Sequence, residues 1–586
     1  MKKNILAVLI AAALCLGLLP VTAFADPVPE DIWTNYAAES FNAGSGTVED
    51  PYQIATAEQL AKLANDVNGG TSYDNTYFVL TSDIDLSAHR WKPIGISIWY
   101  DTGATTQKWF AGSFDGGNHV ISGMYVDESA DKNSAGLFGC IQTGTNVGVK
   151  NLVISNATIY TCDSGLMECY AGILVGFVSG NRDHPISFEN ITVSGSITTD
   201  SYTGYNNVGG MIGYAAWANV TNCHAENITI TGSSNTGGFV GNDGGSTYTG
   251  CSASGTLNGS WSQGGFVGYT TGFYAEPSVF TNCFANVDVN GYDWRLGGFA
   301  GFTESGVFIN CFCIGDVTST VTGFNPKVGG FFGEVGNDVD QTNNATATNC
   351  HSAGVVTSIS SEYAAGGFAG TCVSGSFSDC SYDIEKNSGL SAAGDGNTDQ
   401  SGITGESTET VLATICEDYY GGHLYGTEWV VDVAPTCSTL GNQCHVCVRC
   451  GAKTDNTPIP TIPHTPAVKN VIPATCELDG NAGDLYCSVC GQLLSTNNII
   501  PKLGHSFLDG KCIVCGAVDP DYVPDVDIPE TPDEGEEIVI EDPVEGGISL
   551  TTSDSVSSTS SDKAVITLIA IALISAAAVV VGKVRA

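Results

Sequence analysis

The sequence predicts an all-β protein built on a right-handed parallel β-helix, and three recurring features carry this prediction. A phrase of two glycines, an apolar pair and a third glycine returns at steps of 27 to 38 residues, a period typical of solenoids. A pair such as Asn-Cys follows, 13 residues after the second glycine in four repeats. A short alternating apolar segment, typical of a strand, closes each repeat. We therefore expect three short strands per coil, and coils about 4.8 Å apart. The phrases are Ala135–Gly139, Ala171–Gly176, Gly209–Gly213, Gly237–Gly241, Gly264–Gly268, Gly297–Gly301, Gly329–Gly333 and Gly366–Gly370.

Stacked coils explain the residue types in these repeats. Equivalent side chains lie over one another, so we expect one internal column of Phe and one of Cys, with Phe supplying most of the buried area. The Asn that precedes Cys could hydrogen-bond along the stack through its amide. The Cys column, Cys223 to Cys380, could be reduced and buried or paired as disulfides. Cys162 and Cys169 are the better disulfide candidates.

These repeats resemble the GLUG-motif repeats of bacterial cell-surface proteins, over about Gly44 to Cys380. The resemblance implies an adhesin-like β-helix. A propeller blade would need a longer repeat, and a leucine-rich repeat would need a Leu ladder that the sequence lacks.

The ends of the chain predict export and anchoring. Residues 1–25 have the basic start, apolar run and Ala-x-Ala site of a signal peptide. Residues 564–582 are uncharged and long enough to span a bilayer. The basic residues that follow predict a cytoplasmic tail at 583–586. Between them, residues 518–563 form an acidic Pro/Ser/Thr-rich spacer that we expect to be disordered. The overall organisation resembles that of Gram-positive surface proteins.

The N-terminal module at 26–133 is predicted to cap the β-helix, which we place at 134–388. Thr56 and Gln59 form a capping box, and Leu60, Leu63 and Val67 fall on one face of the helix that follows. Such a helix would cover the open end of the solenoid core.

A linker at 389–419 leads to a region, 420–517, in which Cys-x-x-Cys-Gly turns repeat together with further Cys and His residues. Three cysteines and one histidine are a donor set typical of tetrahedral structural zinc, and the units resemble zinc ribbons. Disulfide-stapled modules are the alternative, because export favours oxidation. His464 could close the first unit or open the second, and His423 is an alternative opening ligand. The candidate ligands are Cys437, Cys447, Cys450 and His464; Cys476, Cys487, Cys490 and His505; and Cys512 and Cys515 of a third, truncated unit.

The composition of the chain and the absence of certain motifs from its sequence reduce the number of function classes that fit it. The formal net charge of −42 argues against a nucleic-acid partner. The repeats contain no acidic residue that recurs in register, and the chain has no zinc-protease motif, so we expect no enzyme and no catalytic residue. The expected function is adhesin-like binding at the cell surface, to a glycan or a host or matrix protein. The alternatives are a structural stalk that binds nothing and a carbohydrate-active enzyme.

Overall fold

The structure is a computed structural model that describes residues 29–524 apart from short internal gaps. The predicted signal peptide, the spacer beyond residue 524, the membrane anchor and the tail lie outside the described residues. Within the described part, no helix is long and apolar enough to cross a membrane. The chain divides into two units, one ending at His464 and one beginning at Thr465. The gaps are 101–104, 130–133, 162–165, 200–204, 233, 272–275, 293, 321–325, 337–343, 360–364, 397–399, 421, 449–450 and 497.

The N-terminal part contains a 3₁₀ helix at Trp33–Tyr36 and an α-helix, α1, at Ala57–Asn68. Thr56 caps α1 by accepting the backbone N–H of Gln59, and Gln59 accepts the N–H of Ala55 in return. The apolar face of α1 belongs to the same buried core as the first strands. The strands are β1 Tyr52–Ile54, β2 Tyr77–Leu80, β3 Ile84–Asp85, β4 Ile96–Tyr100, β5 Thr105–Lys108, β6 Ser113–Asp115, β7 Val120–Ser122 and β8 Tyr125–Asp127.

The repeats follow as coils of short strands. They are β9 Phe138–Gln142, β10 Gly148–Thr161, β11 Leu166–Ala171, β12 Val175–Ser179, β13 Ile186–Thr199, β14 Tyr205–Gly209, β15 Ile212–Ala216, β16 Ala218–Thr221, β17 His224–Gly232, β18 Asn235–Gly237, β19 Val240–Gly244, β20 Thr247–Thr249, β21 Ser252–Gly259, β22 Ser262–Gly264, β23 Val267–Thr271, β24 Ser278–Thr281, β25 Phe284–Gly291, β26 Arg295–Gly297, β27 Ala300–Thr303, β28 Gly306–Ile309, β29 Phe312–Cys313, β30 Val317–Ser319, β31 Lys327–Gly329, β32 Phe332–Val335, β33 Thr346–Thr348, β34 His351–Ser352, β35 Val356–Ser358, β36 Gly366–Cys372, β37 Ser376–Ser378, β38 Cys380–Asp383, β39 Ser391–Gly396 and β40 Ile403–Glu406.

Among the described residues, strands β1 to β40 form two sheets, of 23 and 17 strands, in which coil pairs with coil in parallel. Strand β4 is an exception, since it pairs antiparallel with β5 and β11. The prediction of an all-β parallel solenoid is confirmed. The three coils between Tyr205 and Gly291 contain four described strands each, where three were predicted. In the coil from Asn235 to Gly259, the chain bends at Gly238-Phe239 in one sheet and again at Gly250-Cys251 in the other. The Phe and the Cys of the repeat therefore lie at the two bends, and both are fully buried.

Parallel pairing also extends past both predicted ends of the β-helix. It begins with Tyr52–Ile54 against Tyr77–Leu80 and ends with Cys380–Asp383 against Ile403–Glu406. The first coils lack the glycine phrase, but they continue the core through buried residues such as Phe78 and Phe114, which are partners in register.

The Phe of the glycine phrase forms a continuous ladder inside the solenoid. Phe239, Phe266, Phe299, Phe331 and Phe368 stack in order, with ring centroids 4.7, 5.0, 4.8 and 5.1 Å apart and planes within 11° of parallel. All five rings are fully buried. The predicted Phe column is thus present, one ring per coil.

A second aromatic ladder, which the sequence analysis missed, stands at right angles to the first. Tyr248, Phe280 and Phe308 stack with centroids 4.9 Å apart. Phe280 meets the edge of Phe266 at 86°, the edge-to-face arrangement that the aromatic quadrupole favours. The two ladders together fill the core between the sheets.

The Asn that precedes the Cys of the repeat forms a ladder on the solvent side. These residues all adopt positive φ, between 52° and 54°, a conformation that Asn tolerates better than most residues. Four of these amides donate to the side-chain oxygen of the Asn one coil earlier, as predicted. The bonds are Asn190 to Asn151 at 3.2 Å, Asn222 to Asn190 at 2.8 Å, Asn310 to Asn282 at 3.1 Å and Asn349 to Asn310 at 3.1 Å.

The Cys column is buried, and its thiols are free. Cys223, Cys251, Cys283, Cys311, Cys350 and Cys380 carry no disulfide. Burial raises the pKa of the Cys311 and Cys350 thiols well above its usual value, which disfavours the reactive thiolate. Cys169, by contrast, is disulfide-bonded, and its predicted partner Cys162 lies outside the described residues.

The chain between Thr408 and Val518 contains the Cys/His region. Helix α2, Thr408–Tyr420, buries Val411 and Ile415 in a small cluster with Phe284 and Phe312 of the solenoid. Short antiparallel strands follow. They are β41 Val430–Val433, β42 Gly441–Val446, β43 Lys453–Ile459, β44 Pro466–Lys469, β45 Gly480–Asn481, β46 Asp484–Cys487, β47 Leu493–Ser495, β48 Ile499–Ile500, β49 Phe507–Leu508 and β50 Lys511–Cys512.

One position interrupts the Asn ladder, and filling it should stabilise the solenoid. Gly250 occupies the Asn position between Asn222 and Asn282, at φ +64°, and a Cβ there would meet no atom within 4 Å. The substitution Gly250→Asn should join the two halves of the ladder and restrict the unfolded chain. We expect the free energy of unfolding to rise by about 1 kcal/mol, measured by chemical denaturation.

Gly250→Ala is the matched control, because Ala brings a Cβ to the same positive φ without an amide. It should lower the free energy of unfolding by about 1 kcal/mol. Equal stabilities of the Asn and Ala variants would contradict a contribution from the ladder.

Candidate metal centres

The three Cys-x-x-Cys-Gly turns share one backbone conformation. The glycines have φ values of +75°, +76° and +74°, which only glycine adopts at little cost. In each turn the glycine N–H donates to the carbonyl of the first cysteine at 2.9 Å. The repeated sequence therefore builds a repeated turn, which we call the knuckle, at the first cysteine and the glycine. The pairs are Gly451 with Cys447, Gly491 with Cys487, and Gly516 with Cys512.

In the unit that begins at Thr465, four side chains converge on one point, which we call the distal centre. Its members are Cys476, His505, Cys512 and Cys515. The sulfurs of Cys476 and Cys512 are 3.8 Å apart, and the sulfur of Cys515 is 3.3 Å from Nδ1 of His505. Tetrahedral metal–sulfur bonds of about 2.3 Å place two sulfurs about 3.8 Å apart. The distal centre could therefore hold a tetrahedral ion.

Backbone amides of the knuckle act on one thiol of the distal centre. The N–H groups of Cys515 and Val514 point at the sulfur of Cys512 and lower the pKa of its thiol. The thiolate is the form that binds metal. The knuckle thus favours the form of this sulfur that could bind a metal ion.

A second cluster, which we call the proximal centre, lies in the unit that ends at His464. Cys416, His423 and Cys447 converge there, with 3.6 Å between the two sulfurs. The N–H of Leu424 donates to the sulfur of Cys447 at 3.3 Å. Cys450, the other cysteine of this knuckle, lies outside the described residues. These three side chains could also hold a metal ion.

Cys416 is a candidate ligand that the sequence analysis missed, because it lies on helix α2 and outside the region assigned to the Cys/His units. One signal could have found it. It precedes Cys447 by 31 residues, much as Cys476 precedes Cys512 by 36.

The distal and proximal centres combine the predicted ligands differently from the units that were predicted from sequence spacing. Cys447 joins Cys416 and His423, the alternative ligand, and does not join Cys437 or His464. Cys476 and His505 join the third knuckle, Cys512 and Cys515, and not the second. Hydrogen bonds of the backbone explain the second difference. The N–H of Leu503 donates to the carbonyl of Thr475 at 2.9 Å, which brings the segment before His505 beside Cys476.

The remaining candidates occupy defined places in their own units. Cys437 is buried beside a turn in which the N–H of Thr436 donates to the carbonyl of Thr439. Cys487 is buried at the end of β46, and Cys490 is exposed in the same knuckle. His464 is the last residue of its unit.

Comparison with known proteins identifies the repeat. The family model described as the GLUG motif matches residues 204–231, which run from before the bend at Gly210 to the strand after Cys223. These residues carry the GLUG motif, which confirms the predicted GLUG-type repeat.

Two curated proteins are similar to parts of this chain. "Halomucin" of Haloquadratum walsbyi is 35% identical over 175 residues, which is 29% of this chain and 2% of halomucin. A "Putative Gly-rich membrane protein" of Evansella cellulosilytica is 33% identical over 148 residues, 24% of this chain and 14% of that protein. The chain thus spans a small part of both relatives.

A solved structure is also similar, that of a "putative immunoglobulin A1 protease" from Bacteroides ovatus. It is 20% identical, with a TM-score of 0.36, and the match covers 54% of this chain and 87% of the other.

The distal centre makes a prediction about metal content. Cys512→Ser should remove one equivalent of bound metal per chain, because serine is a poor replacement for a thiolate ligand. Inductively coupled plasma mass spectrometry of the purified protein measures this. Cys444→Ala is the control, because Cys444 is buried in the same region but belongs to neither centre. Equal metal content in the Cys512→Ser variant and the parent would contradict a metal at this centre.

Proposed function

We propose that this GLUG-repeat chain is an adhesin-like binding protein displayed at the cell surface. The observation that carries the proposal is the exposure of large aromatic side chains on successive coils of a rigid solenoid. Trp261 and Trp294 lie in neighbouring coils, and they stack with centroids 5.9 Å apart while 42% and 43% exposed. Exposed apolar clusters on a soluble surface are typical of interaction sites.

The sequence and the relatives support the surface location. The signal-peptide pattern at 1–25 and the apolar segment 564–582 fit export and anchoring. The two relatives carry the names halomucin and membrane protein. The net charge of −42 fits a partner other than nucleic acid.

The metal centres fit a structural role in this proposal, with zinc as the ion. Cys476, Cys512, Cys515 and His505 provide three sulfurs and one imidazole, the set typical of closed structural zinc sites. The described Cys/His strands are short, two to seven residues each. Such small modules usually depend on a metal or on disulfides for their stability. The zinc would hold the fold of this region, and the solenoid would present the binding surface.

Binding and location can be tested together. A protein of residues 26–560, applied to an array of glycans and matrix proteins, should bind some of the array members. The exposed aromatic rings favour such contacts. Antibodies against the solenoid should label intact, unpermeabilised cells. A protein of similar size and charge without repeats serves as the control. A surface-labelled protein that binds no array member would favour the stalk, and labelling only after permeabilisation would contradict surface display.

A further inference from the structure

The outer face of the 17-stranded sheet contains a groove. Each coil contributes two strands to this sheet, one on each side of the Gly-Gly-Phe bend. Their outward side chains converge. The ring of Tyr170, on the first strand of its coil, lies 4.9 Å from Phe177 and 5.8 Å from Tyr214, which lie on second strands. The sheet is therefore concave on the outside at this point.

The third glycine of the GLUG phrase makes this concavity possible. A Cβ on Gly241 would lie 2.4 Å from the backbone nitrogen of Val208, on the first strand of the preceding coil. Gly268 meets Thr236 in the same way, at 2.5 Å. Only glycine allows the two strands to approach this closely. The motif that builds the solenoid therefore also builds the groove.

The groove has the size and composition of a ligand site. Its volume is about 340 Å³, within the range of small-molecule pockets. Aromatic rings and amides dominate its surface, and one carboxylate is present among its described residues. The lining residues are Glu168, Tyr170, Phe177, Asn207, Tyr214, Asn235, Asn242 and Tyr269.

One column of aromatic rings on this face is interrupted at Asn242, and the interruption leaves a slot between the rings of Tyr214 and Tyr269. Phe177 and Tyr214 stack with centroids 5.2 Å apart, and Tyr269 stacks on Phe302 at 5.2 Å. Asn242 occupies the register position between Tyr214 and Tyr269. These two rings are therefore two coils apart, about 9.6 Å. A flat ring that touches an aromatic face on each side needs about 7 to 8 Å.

Amides line the floor beside this slot. Asn235 donates to the side-chain oxygen of Asn207 at 3.0 Å. The side-chain oxygen of Asn242 is buried and accepts no hydrogen bond from any described residue, a state that costs free energy. Rotation of its carboxamide would offer this oxygen to a hydroxyl in the slot.

We propose that this groove binds a neutral glycan, with one pyranose ring in the slot between Tyr214 and Tyr269. A pyranose has apolar C–H faces for the two rings and an edge of hydroxyls for the amides. Glu168, which accepts a hydrogen bond from the hydroxyl of Tyr170, is the one charged group among the described lining residues of the groove, and its carboxylate disfavours an anionic ligand. This inference rests on the proposed binding function and names its site and ligand class.

Asn242→Tyr is the decisive variant, because it fills the slot without removing any packing. An added ring would continue the stack from Tyr214 to Tyr269, so the thermal stability should stay equal or rise. Binding of the full chain to an array of neutral and acidic oligosaccharides should fall at least tenfold. Tyr214→Ala should also weaken it by about tenfold. Tyr160→Ala is the control, because this ring is 39% exposed on the other sheet, and it should leave binding unchanged.

Each other outcome overturns the proposal. Neutral-glycan binding that survives Asn242→Tyr would place the ligand elsewhere on the chain and leave the proposed binding function intact. Preference for acidic glycans, or binding of matrix proteins alone, would contradict the ligand class. A parent protein that binds neither glycans nor proteins would remove both the groove and the binding function.

Discussion

The structure depends on parallel, in-register stacking of one coil on the next. In-register pairing places equivalent residues of successive coils over one another. A residue type that occurs once per repeat therefore forms a column. The Phe ladder shows the consequence, since Phe239 to Phe368 keep nearly constant spacing over five coils. A shift of one residue would turn every inward side chain outward. The buried aromatic columns therefore fix the register, and the register in turn aligns the Asn ladder and the outer groove.

Much of the solenoid could be predicted from the sequence, because the same local pattern of residues occurs in several successive coils. The glycine phrase, the Asn-Cys pair and the helix at Ala57–Asn68 each have a local cause in turn conformation or periodicity. The second aromatic ladder was missed because Tyr248, Phe280 and Phe308 are not part of any fixed phrase. Their common position becomes visible only when coils of different length are aligned in space.

The candidate metal centres show a different limit of prediction from sequence. Linear spacing identifies the Cys-x-x-Cys-Gly knuckles, because a knuckle is a local turn. It does not identify the distant ligands, since these depend on hydrogen bonds between segments, such as that between Leu503 and Thr475. Cys416 belongs to a helix that packs on the solenoid, so its proximity to Cys447 follows from tertiary structure. The groove likewise depends on how two strands of a coil approach each other across the third glycine.

The most direct measurement of the stacking is a pair of engineered disulfides. Thr231 and Asn258 are exposed partners in register on adjacent coils, so the double variant Thr231→Cys/Asn258→Cys should place the two Cα atoms about 4.8 Å apart, within disulfide range. Peptide mapping by mass spectrometry should find this bond formed in nearly all chains after mild oxidation. The offset pair Thr229→Cys/Asn258→Cys, two residues out of register, should not form it. Cross-linking of the offset pair in preference to the in-register pair would contradict the stacked solenoid.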